Sequence, residues 1–271
     1  MHPVTSSLLP LWSFPCFDPA TLRVAITTRR GGVSTGSFAS LNIGFHVGDE
    51  YDDVLTNRIR TAEAFGVDLD DCIFAEQVAG TRITRVGDPE RGRGARSKAD
   101  ALPQADGLVT TEPGPVLALM AADCMLIAMH DPAAPALALV HAGWPGTVNG
   151  AIPAAVRAML ECGAKPDRIV TAIAPAVSAG TYQVGDDVAQ AALSAFGPRV
   201  GEVLRPDGTG RYVFDLVGAA HIQLVDAGLK VASIFDSGQT TGPGTDFFSH
   251  RFEGPTGRFA LLAQLSGKAA A

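Results

Sequence analysis

Three long apolar runs follow one another between residues 115 and 142, and they constrain the fold more than any other part of the sequence. The runs read VLALMA, CMLIAMHD and ALALVHA. A strand with one solvated face alternates apolar and polar residues, whereas a strand in a sheet covered on both faces is apolar throughout. We therefore expect three strands of a sheet that is buried between other layers of structure.

The flanking sequence predicts helices separated by shorter strands. Capping signals bound one helix from about residue 53 to 65, closed by Gly66, and another from Thr147 to Gly163. Two strands, 72–78 and 81–86, are predicted to form a hairpin with a tight turn at Ala79 and Gly80. Further predicted helices span 186–197 and 216–229, and further predicted strands span 24–28, 168–177 and 257–265.

Helices and strands alternate along the chain, but the predicted hairpin breaks a pure βαβ rhythm. This order favours an α/β or α+β fold, in one domain over residues 1–271, with a mixed sheet between helical layers. Residues 87–104 are charged, contain several glycines and show no periodicity. We expect an exposed loop there rather than a linker between domains.

Composition argues against several partners and locations. The formal net charge is -7 at pH 7 and the pI is about 5.3, which disfavours nucleic acid, because duplex binding depends on basic contacts to phosphate. No apolar run reaches the roughly 18 to 20 residues of a membrane span, and the first residues show no secretion signal. The four cysteines form no CxxC pair. We expect a cytoplasmic protein without nucleic-acid or membrane partners.

Cys124 and His141 are the candidate catalytic residues. Each lies at an end of a predicted buried strand, where loops usually build binding sites, and His141 precedes a glycine and a predicted helix. A thiol and an imidazole there would serve as a nucleophile and its base, or as two ligands of a zinc ion. Asp123 is the candidate for orienting His141 or for carrying a proton.

An ordered set of motifs spans roughly residues 22–265: TTRRGGVSTGSFASLNIGFHVGD, QADGLVTTEPGPVLALMAADC, HAGWPGT, YQVG, FDL and GPTGR. Together they resemble the YfiH/YlmD family, also called the laccase-domain or polyphenol-oxidase-type family, which is related to the mammalian FAMIN protein. The resemblance implies a three-layer α/β/α fold with a mixed sheet, similar to that of a bacterial deamidating toxin with a Cys-His site.

The resemblance also implies a function. The family is associated with phosphorolysis of adenosine, inosine, guanosine and methylthioadenosine, and with deamination of adenosine. The expected partners are therefore a purine nucleoside and phosphate. Other members are described as copper-dependent polyphenol oxidases or as peptidoglycan-editing factors. Copper is not expected here, because the six scattered histidines offer no multi-histidine ligand set.

By this resemblance, two of the family's three zinc ligands are present in this chain and the third is missing. Cys124 and His141 match two ligands of the family's zinc ion, but the third, the His of a Gln-Val-His-Gly motif, corresponds to Ala79 in the segment AEQVAGTR. A catalytic zinc normally has three protein ligands, so we expect weak zinc binding and reduced activity unless His46 or His250 replaces the lost ligand.

The resemblance also assigns residues to the substrate. Arg29 and Asn42 match the family's Thr-Thr-Arg-x-Gly-Gly and Ser-Leu-Asn motifs. Arg29, with Arg251 or Arg258, is expected to bind phosphate or the charge that develops on the sugar.

Two other interpretations stay open at this point. One is a metal-free amidohydrolase that acts on a peptidoglycan fragment, with Cys124 as nucleophile and His141 as base. The other is a paralogue without catalytic activity that binds a purine or a protein partner.

Overall fold

The computed structural model describes residues 2–5 and 9–267, so the remaining residues of the predicted 1–271 domain lie outside the described part. The strands are β1 (His2–Thr5), β2 (Pro10–Ser13), β3 (Leu22–Thr27), β4 (Cys72–Phe74), β5 (Ile83–Arg85), β6 (Gly107–Thr110), β7 (Val116–Ala121), β8 (Met125–Asp131), β9 (Ala136–Ala142), β10 (Val170–Ile173), β11 (Gln183–Val184), β12 (Leu204–Pro206), β13 (Tyr212–Phe214), β14 (Ile234–Asp236) and β15 (Phe259–Leu265). The helices are α1 (Tyr51–Phe65), α2 (Trp144–Asn149), α3 (Ala151–Glu161), α4 (Asp186–Phe196), α5 (Leu216–Asp226) and α6 (His250–Glu253).

Most strands belong to two six-stranded sheets. The first sheet has the order β1-β2-β3-β15-β7-β4, and the second has the order β14-β10-β8-β9-β6-β5. Both are mixed, because β4 runs parallel to β7, β5 to β6 and β10 to β14, while their other pairs are antiparallel. Strands β11, β13 and β12 form a small antiparallel sheet.

The two large sheets pack face to face and are covered by helices on their outer faces. Leu119 of β7 and Leu126 of β8 belong to the apolar cluster between the sheets. Ala62 of α1 packs with Met120 in a second cluster on the outer face of the first sheet. A third cluster joins the outer face of the second sheet to helices α3, α4 and α5. The predicted α/β class with a mixed sheet is therefore confirmed, and the β layer is double.

The buried strands were well predicted. Every residue of β7, β8, β9 and β15 is buried, as the continuous apolar runs require. Helix α1 ends at Phe65, and Gly66 follows it with a φ of 85°. This left-handed conformation favours glycine, so the predicted C-terminal stop is confirmed.

Two local predictions were wrong. Strands β4 and β5 do not form a hairpin, because β4 pairs with β7 in the first sheet and β5 pairs with β6 in the second. The helix predicted to begin at Thr147 begins at Trp144 instead, and it is divided into α2 and α3 at Gly150, whose φ is 88°. Local sequence signals indicate where a turn or a helix break occurs, but they do not indicate which strands pair with each other.

The loop 87–104 is only partly exposed. Ala95 and Leu102 are buried, and the guanidinium of Arg58 in α1 donates hydrogen bonds to the Gly94 and Ala95 carbonyls. The expectation of an exposed loop is therefore wrong for its central residues. Within the described residues, no helix is long and apolar enough to cross a membrane.

Candidate active site

Cys124 and His141 meet where the chain passes from the first sheet to the second. Cys124 lies in the short connection between β7 and β8, and His141 is near the end of β9. Met125 pairs with Ala142 and Leu126 with His141 in the antiparallel β8–β9 ladder. This register places the residue before β8, Cys124, beside the end of β9, as the sequence predicted.

Gly143 makes this approach possible. A Cβ atom built on Gly143 would lie 2.7 Å from Cys124 Sγ, which is closer than real Cβ contacts come. The thiol therefore packs directly against the Gly143 backbone. The glycine of the HAGW motif is needed because Cys124 occupies the space of a side chain.

Asp106 completes the site, and the sequence analysis did not identify it. It precedes β6, and Gly107 pairs with Val140, so Asp106 lies beside His141 on the neighbouring strand. His141 Nδ1 donates to Asp106 Oδ1 at 2.9 Å. The carboxylate is completely buried and also accepts hydrogen bonds from the backbone amides of Val78, Ala79 and Gly80.

The imidazole of His141 has two neighbours that act on its charge. Asp106 binds its Nδ1, and the Cys124 side chain interacts with the same ring. Burial alone would lower the pKa of His141, but its interactions with the Cys124 side chain and with the Asp106 carboxylate outweigh burial and raise the pKa to about 9. His141 is therefore an imidazolium at neutral pH, and Asp106 stabilises its charge.

Cys124, His141 and Ala79 open onto one cavity of about 930 Å³. This volume lies within the usual range of small-molecule sites, about 300–1,000 Å³. A smaller cavity of about 420 Å³ lies between β2, β3 and the end of α1, and its described lining residues include Arg23 but no His, Cys or carboxylate. The larger cavity is therefore the candidate active site.

The wall of this cavity is strongly cationic. Arg58, Lys98 and Arg258 line it, whereas Glu76 is the one carboxylate residue among its described lining residues. Partial burial, together with Arg258, Arg58 and Lys98, lowers the pKa of His46 to about 4, so its imidazole is neutral. A concave surface of one charge sign concentrates ligands of the opposite sign.

The two arginines differ in what they offer a ligand. Arg58 is buried between the rings of Phe45 and Phe74, and its nitrogens donate to backbone carbonyls and to a methionine sulfur. Burial lowers the pKa of Arg58 to about 9. Arg258 uses only Nη1, which donates to the Thr256 and Gly257 carbonyls, so Nε and Nη2 make no hydrogen bond to the described residues.

Asp123 lies next to Cys124 but does not contact His141. Its Oδ1 accepts hydrogen bonds from the Thr241 and Ser249 hydroxyls at 2.6 and 2.5 Å, and its Oδ2 accepts one from the Arg251 amide at 2.6 Å. The expectation that Asp123 orients His141 is therefore wrong, because Asp106 occupies that position. A proton-carrying role for Asp123 stays a prediction.

The other predicted substrate residues, Arg29, Asn42 and Arg251, are not among the residues that line the cavity. Arg29 pairs with Glu253 at 2.6 Å, and Arg251 lies over the ring of Tyr182. Asn42 is buried, and its Oδ1 accepts a hydrogen bond from the Arg258 amide at 2.9 Å. Of the residues predicted to bind substrate, the structure brings Arg258 into the cavity with Cys124 and His141, and Asn42 positions its backbone.

The donor atoms do not fit a resident zinc ion. Catalytic zinc requires three protein ligands, and the described residues contain no group of three His, Cys, Asp or Glu side chains that could hold a metal. Position 79 carries a methyl group, and the Ala79 amide is bound to Asp106. His46 and His250 line the cavity but do not complete a ligand set with Cys124 and His141.

Sequence reasoning could have found Asp106 from one signal. It lies in the QADGL motif, immediately before an apolar strand, which is the same position relative to a strand that drew attention to Cys124. Arg58 and Lys98 carried no such signal. A charged residue on an amphipathic helix or in a loop is usually solvated, and only the tertiary structure turns these two side chains toward a cavity.

Residues 23–266 match the family described as multi-copper polyphenol oxidoreductase laccase. Purine nucleoside phosphorylase YlmD of Geobacillus stearothermophilus is 40% identical over 236 residues, which are 86% of each chain. The Bacillus subtilis protein of the same name is 37% identical over 86% of this chain and 84% of its own.

Solved structures agree with these sequence matches. The crystal structure of YlmD from Geobacillus stearothermophilus has a TM-score of 0.91 at 36% identity, covering 97% of this chain and 98% of the other. Bacillus licheniformis YfiH has a TM-score of 0.87 at 34% identity, covering 90% of this chain and 92% of the other. The chain therefore belongs to the multi-copper polyphenol oxidoreductase laccase family, among the YlmD and YfiH proteins.

Proposed function

We propose that this protein is a purine nucleoside phosphorylase. The observation that carries the proposal is the content of one cavity: His141, a proton donor held by Asp106, and Arg258, an arginine with unused donors. Breaking a glycosidic bond with phosphate needs these two functions, an acid for the departing base and a cation for the phosphate. Relatives that align with most of the chain bear the name purine nucleoside phosphorylase, which supports the same reaction.

His141 would act on the purine. A phosphate oxygen attacks C1′ of the ribose, the bond from C1′ to the purine nitrogen breaks, and its electron pair passes to the base. The imidazolium gives a proton to the departing base, so the products are the free purine and ribose 1-phosphate, and His141 then regains a proton from solvent. The raised pKa of His141 keeps this proton in place at neutral pH.

Arg258 would act on the phosphate. Its Nε and Nη2 can donate two parallel hydrogen bonds to phosphate oxygens, the geometry in which arginine binds phosphate best. Lys98 and the buried charge of Arg58 add to the positive potential of the cavity. This attraction favours the phosphate dianion and stabilises negative charge as the base departs.

Deamination of adenosine is a second reaction that the family resemblance suggests for the same cavity. In that reaction water attacks C6 of the purine, and the same imidazolium would protonate the departing ammonia. The grouping of Cys124 and Asp106 around His141 also favours hydrolysis of an amide, since thiol hydrolases combine a thiol, an imidazole and a third group that orients the imidazole. The cationic wall favours phosphorolysis over both, because neither alternative requires an anion.

A product assay tests the proposal. Phosphate-free protein is incubated with adenosine or inosine, with and without phosphate, and the bases and nucleosides are separated by chromatography. We expect adenine or hypoxanthine only when phosphate is present, and no product from the His141→Gln variant. Cys162→Ala, which changes a cysteine at the end of α3 outside the cavity lining, is the matched control and should keep wild-type activity. Inosine from adenosine without phosphate would indicate deamination, and absence of any product would contradict the proposal.

A further inference from the structure

We propose that Cys124 and His141 work in this chain without a resident zinc ion, as a thiol–imidazole pair completed by Asp106. This pair lies in the site of the proposed phosphorylase reaction, so its role in turnover rests on that proposed function. It makes Cys124 a hydrogen-bonding partner of the imidazole rather than a metal ligand.

The donor set carries this inference. Two protein ligands, Cys124 and His141, leave a tetrahedral metal with two open positions, whereas catalytic zinc sites leave one. The carboxylate of Asp106 cannot serve as the third ligand, because its two oxygens are occupied by His141 Nδ1 and by three backbone amides. No third side chain among the described residues completes the group.

The backbone at position 79 nevertheless has a conformation that a histidine can adopt. Ala79 has a φ of 59°, in the left-handed region where histidine occurs more often than most residues. Its amide is fixed by the same Asp106 oxygen that binds His141, and its side chain lines the same cavity as Cys124 and His141. A histidine at this position would therefore add an imidazole beside the existing pair without a change of backbone.

This relationship makes the proposal testable by addition of one ligand. In the Ala79→His variant, Cys124, His141 and the new imidazole would provide the three ligands of a catalytic zinc site. We expect zinc affinity to rise by on the order of 100-fold or more over the wild-type chain, because each added protein ligand contributes to the stability of the site. Ala195→His, which places an imidazole on the outer surface of α4, is the matched control and should bind zinc no better than wild type.

The experiment measures metal content and thiol protection rather than turnover. Each protein is saturated with zinc, passed through a desalting column and analysed for zinc by mass spectrometry. A second sample is treated with iodoacetamide, and modification is read on the peptide that carries Cys124. We expect little zinc and no protection by zinc in the wild type and in Ala195→His, but nearly one zinc per chain and protection of Cys124 in Ala79→His.

The zinc content of the wild-type chain decides the proposal independently of the reaction. One zinc per wild-type chain that disappears in Cys124→Ala would overturn it, even if the Ala79→His variant failed to fold. Loss of wild-type activity on chelation, restored by zinc, would also overturn it. A chain that binds no zinc but fails to cleave nucleosides would leave the metal-free pair in place and contradict only the proposed phosphorylase reaction.

Discussion

Asp106 and His141 are joined twice. The His141 amide donates to the Asp106 carbonyl at 2.7 Å, and His141 Nδ1 donates to the Asp106 carboxylate at 2.9 Å. The backbone hydrogen bond fixes the position of the His141 main chain, and the side-chain hydrogen bond fixes the orientation and the tautomer of the imidazole ring. Asp106 is therefore a positioning residue for the imidazole that interacts with Cys124.

Asp106→Asn should disable the site while the fold persists. The amide group of Asn would place donors against the amides of residues 78–80 and would no longer stabilise the imidazolium. By analogy with other histidine–carboxylate pairs, we expect kcat to fall on the order of 100-fold or more. The loss of activity at high pH should also move to lower pH, which a purely structural defect would not produce. Steady-state rates measured across pH test both expectations.

Asp131→Asn is the control for this variant. Asp131 is also completely buried and accepts hydrogen bonds from backbone amides and from Arg168, but it lies at the opposite end of β8. We expect the Asp131→Asn substitution to lower the free energy of unfolding by about 1–3 kcal/mol without a change in kcat. Equal losses of kcat in the two variants would remove the specific role of Asp106.

The raised pKa of His141 has a consequence for stability. The folded pKa of about 9 exceeds the ordinary value of 6.5, so protonation favours the folded state. This contribution is fully present below the ordinary value and is lost as the pH rises through about 9. The difference in melting temperature between wild type and His141→Gln should therefore shrink between about pH 7 and pH 10. A difference that grows with pH would contradict the assigned charge state.

Activity should follow the same titration. If the imidazolium is the acid, the rate of base release should decline as the pH rises through about 9. Full activity well above that pH would show that His141 does not donate the proton.

Gly143→Ala should displace the Cys124 thiol. The added Cβ would lie 2.7 Å from Sγ, so either the thiol or the start of α2 must move. We expect a loss of activity on the order of 10-fold or more, since a small misplacement of a reacting group is costly. Gly201→Ala is the control, because a Cβ there meets no atom within 4 Å. Unchanged turnover in Gly143→Ala would mean that the position of Cys124 is not critical.

Arg258→Gln should raise the KM for phosphate. Charge-assisted hydrogen bonds contribute about 1.5–3 kcal/mol each, so we expect an increase of at least about 10-fold with a smaller effect on the KM for nucleoside. Arg258→Lys should recover part of the affinity because it keeps the charge without the planar donors. Arg30→Gln serves as the control, since this exposed arginine pairs with Asp246 outside the cavity lining. Equal phosphate KM values in wild type and Arg258→Gln would place the phosphate elsewhere.

The sequence predicted the positions of the strands better than it predicted which strands pair with each other. Buried apolar runs predicted β7, β8 and β9, because burial on both faces leaves a mark on every residue. The false hairpin of β4 and β5 arose because a turn between two short strands resembles a hairpin whether or not the strands pair. The double β layer was not predicted, since which sheet a strand joins depends on residues far away in the chain.

Prediction of the site was limited in the same way, by contacts between residues that are far apart in the chain. Cys124 and His141 were predicted because both lie at strand ends and within recognisable motifs. Asp106 is separated from His141 by 35 residues, and its role follows from the β6–β9 register rather than from local spacing. Asp123 was given that role because it is adjacent to Cys124, but its carboxylate is used by Thr241, Ser249 and the Arg251 amide.

The most direct test of the proposed reaction is phosphorus NMR of the protein with inosine and phosphate. Phosphorolysis predicts a new sugar-phosphate resonance, ribose 1-phosphate, that grows in step with hypoxanthine and is absent with His141→Gln. Release of hypoxanthine without a new phosphorus resonance would mean that water, not phosphate, attacks the sugar. That result would contradict the central claim that His141 and Arg258 serve a phosphorylase.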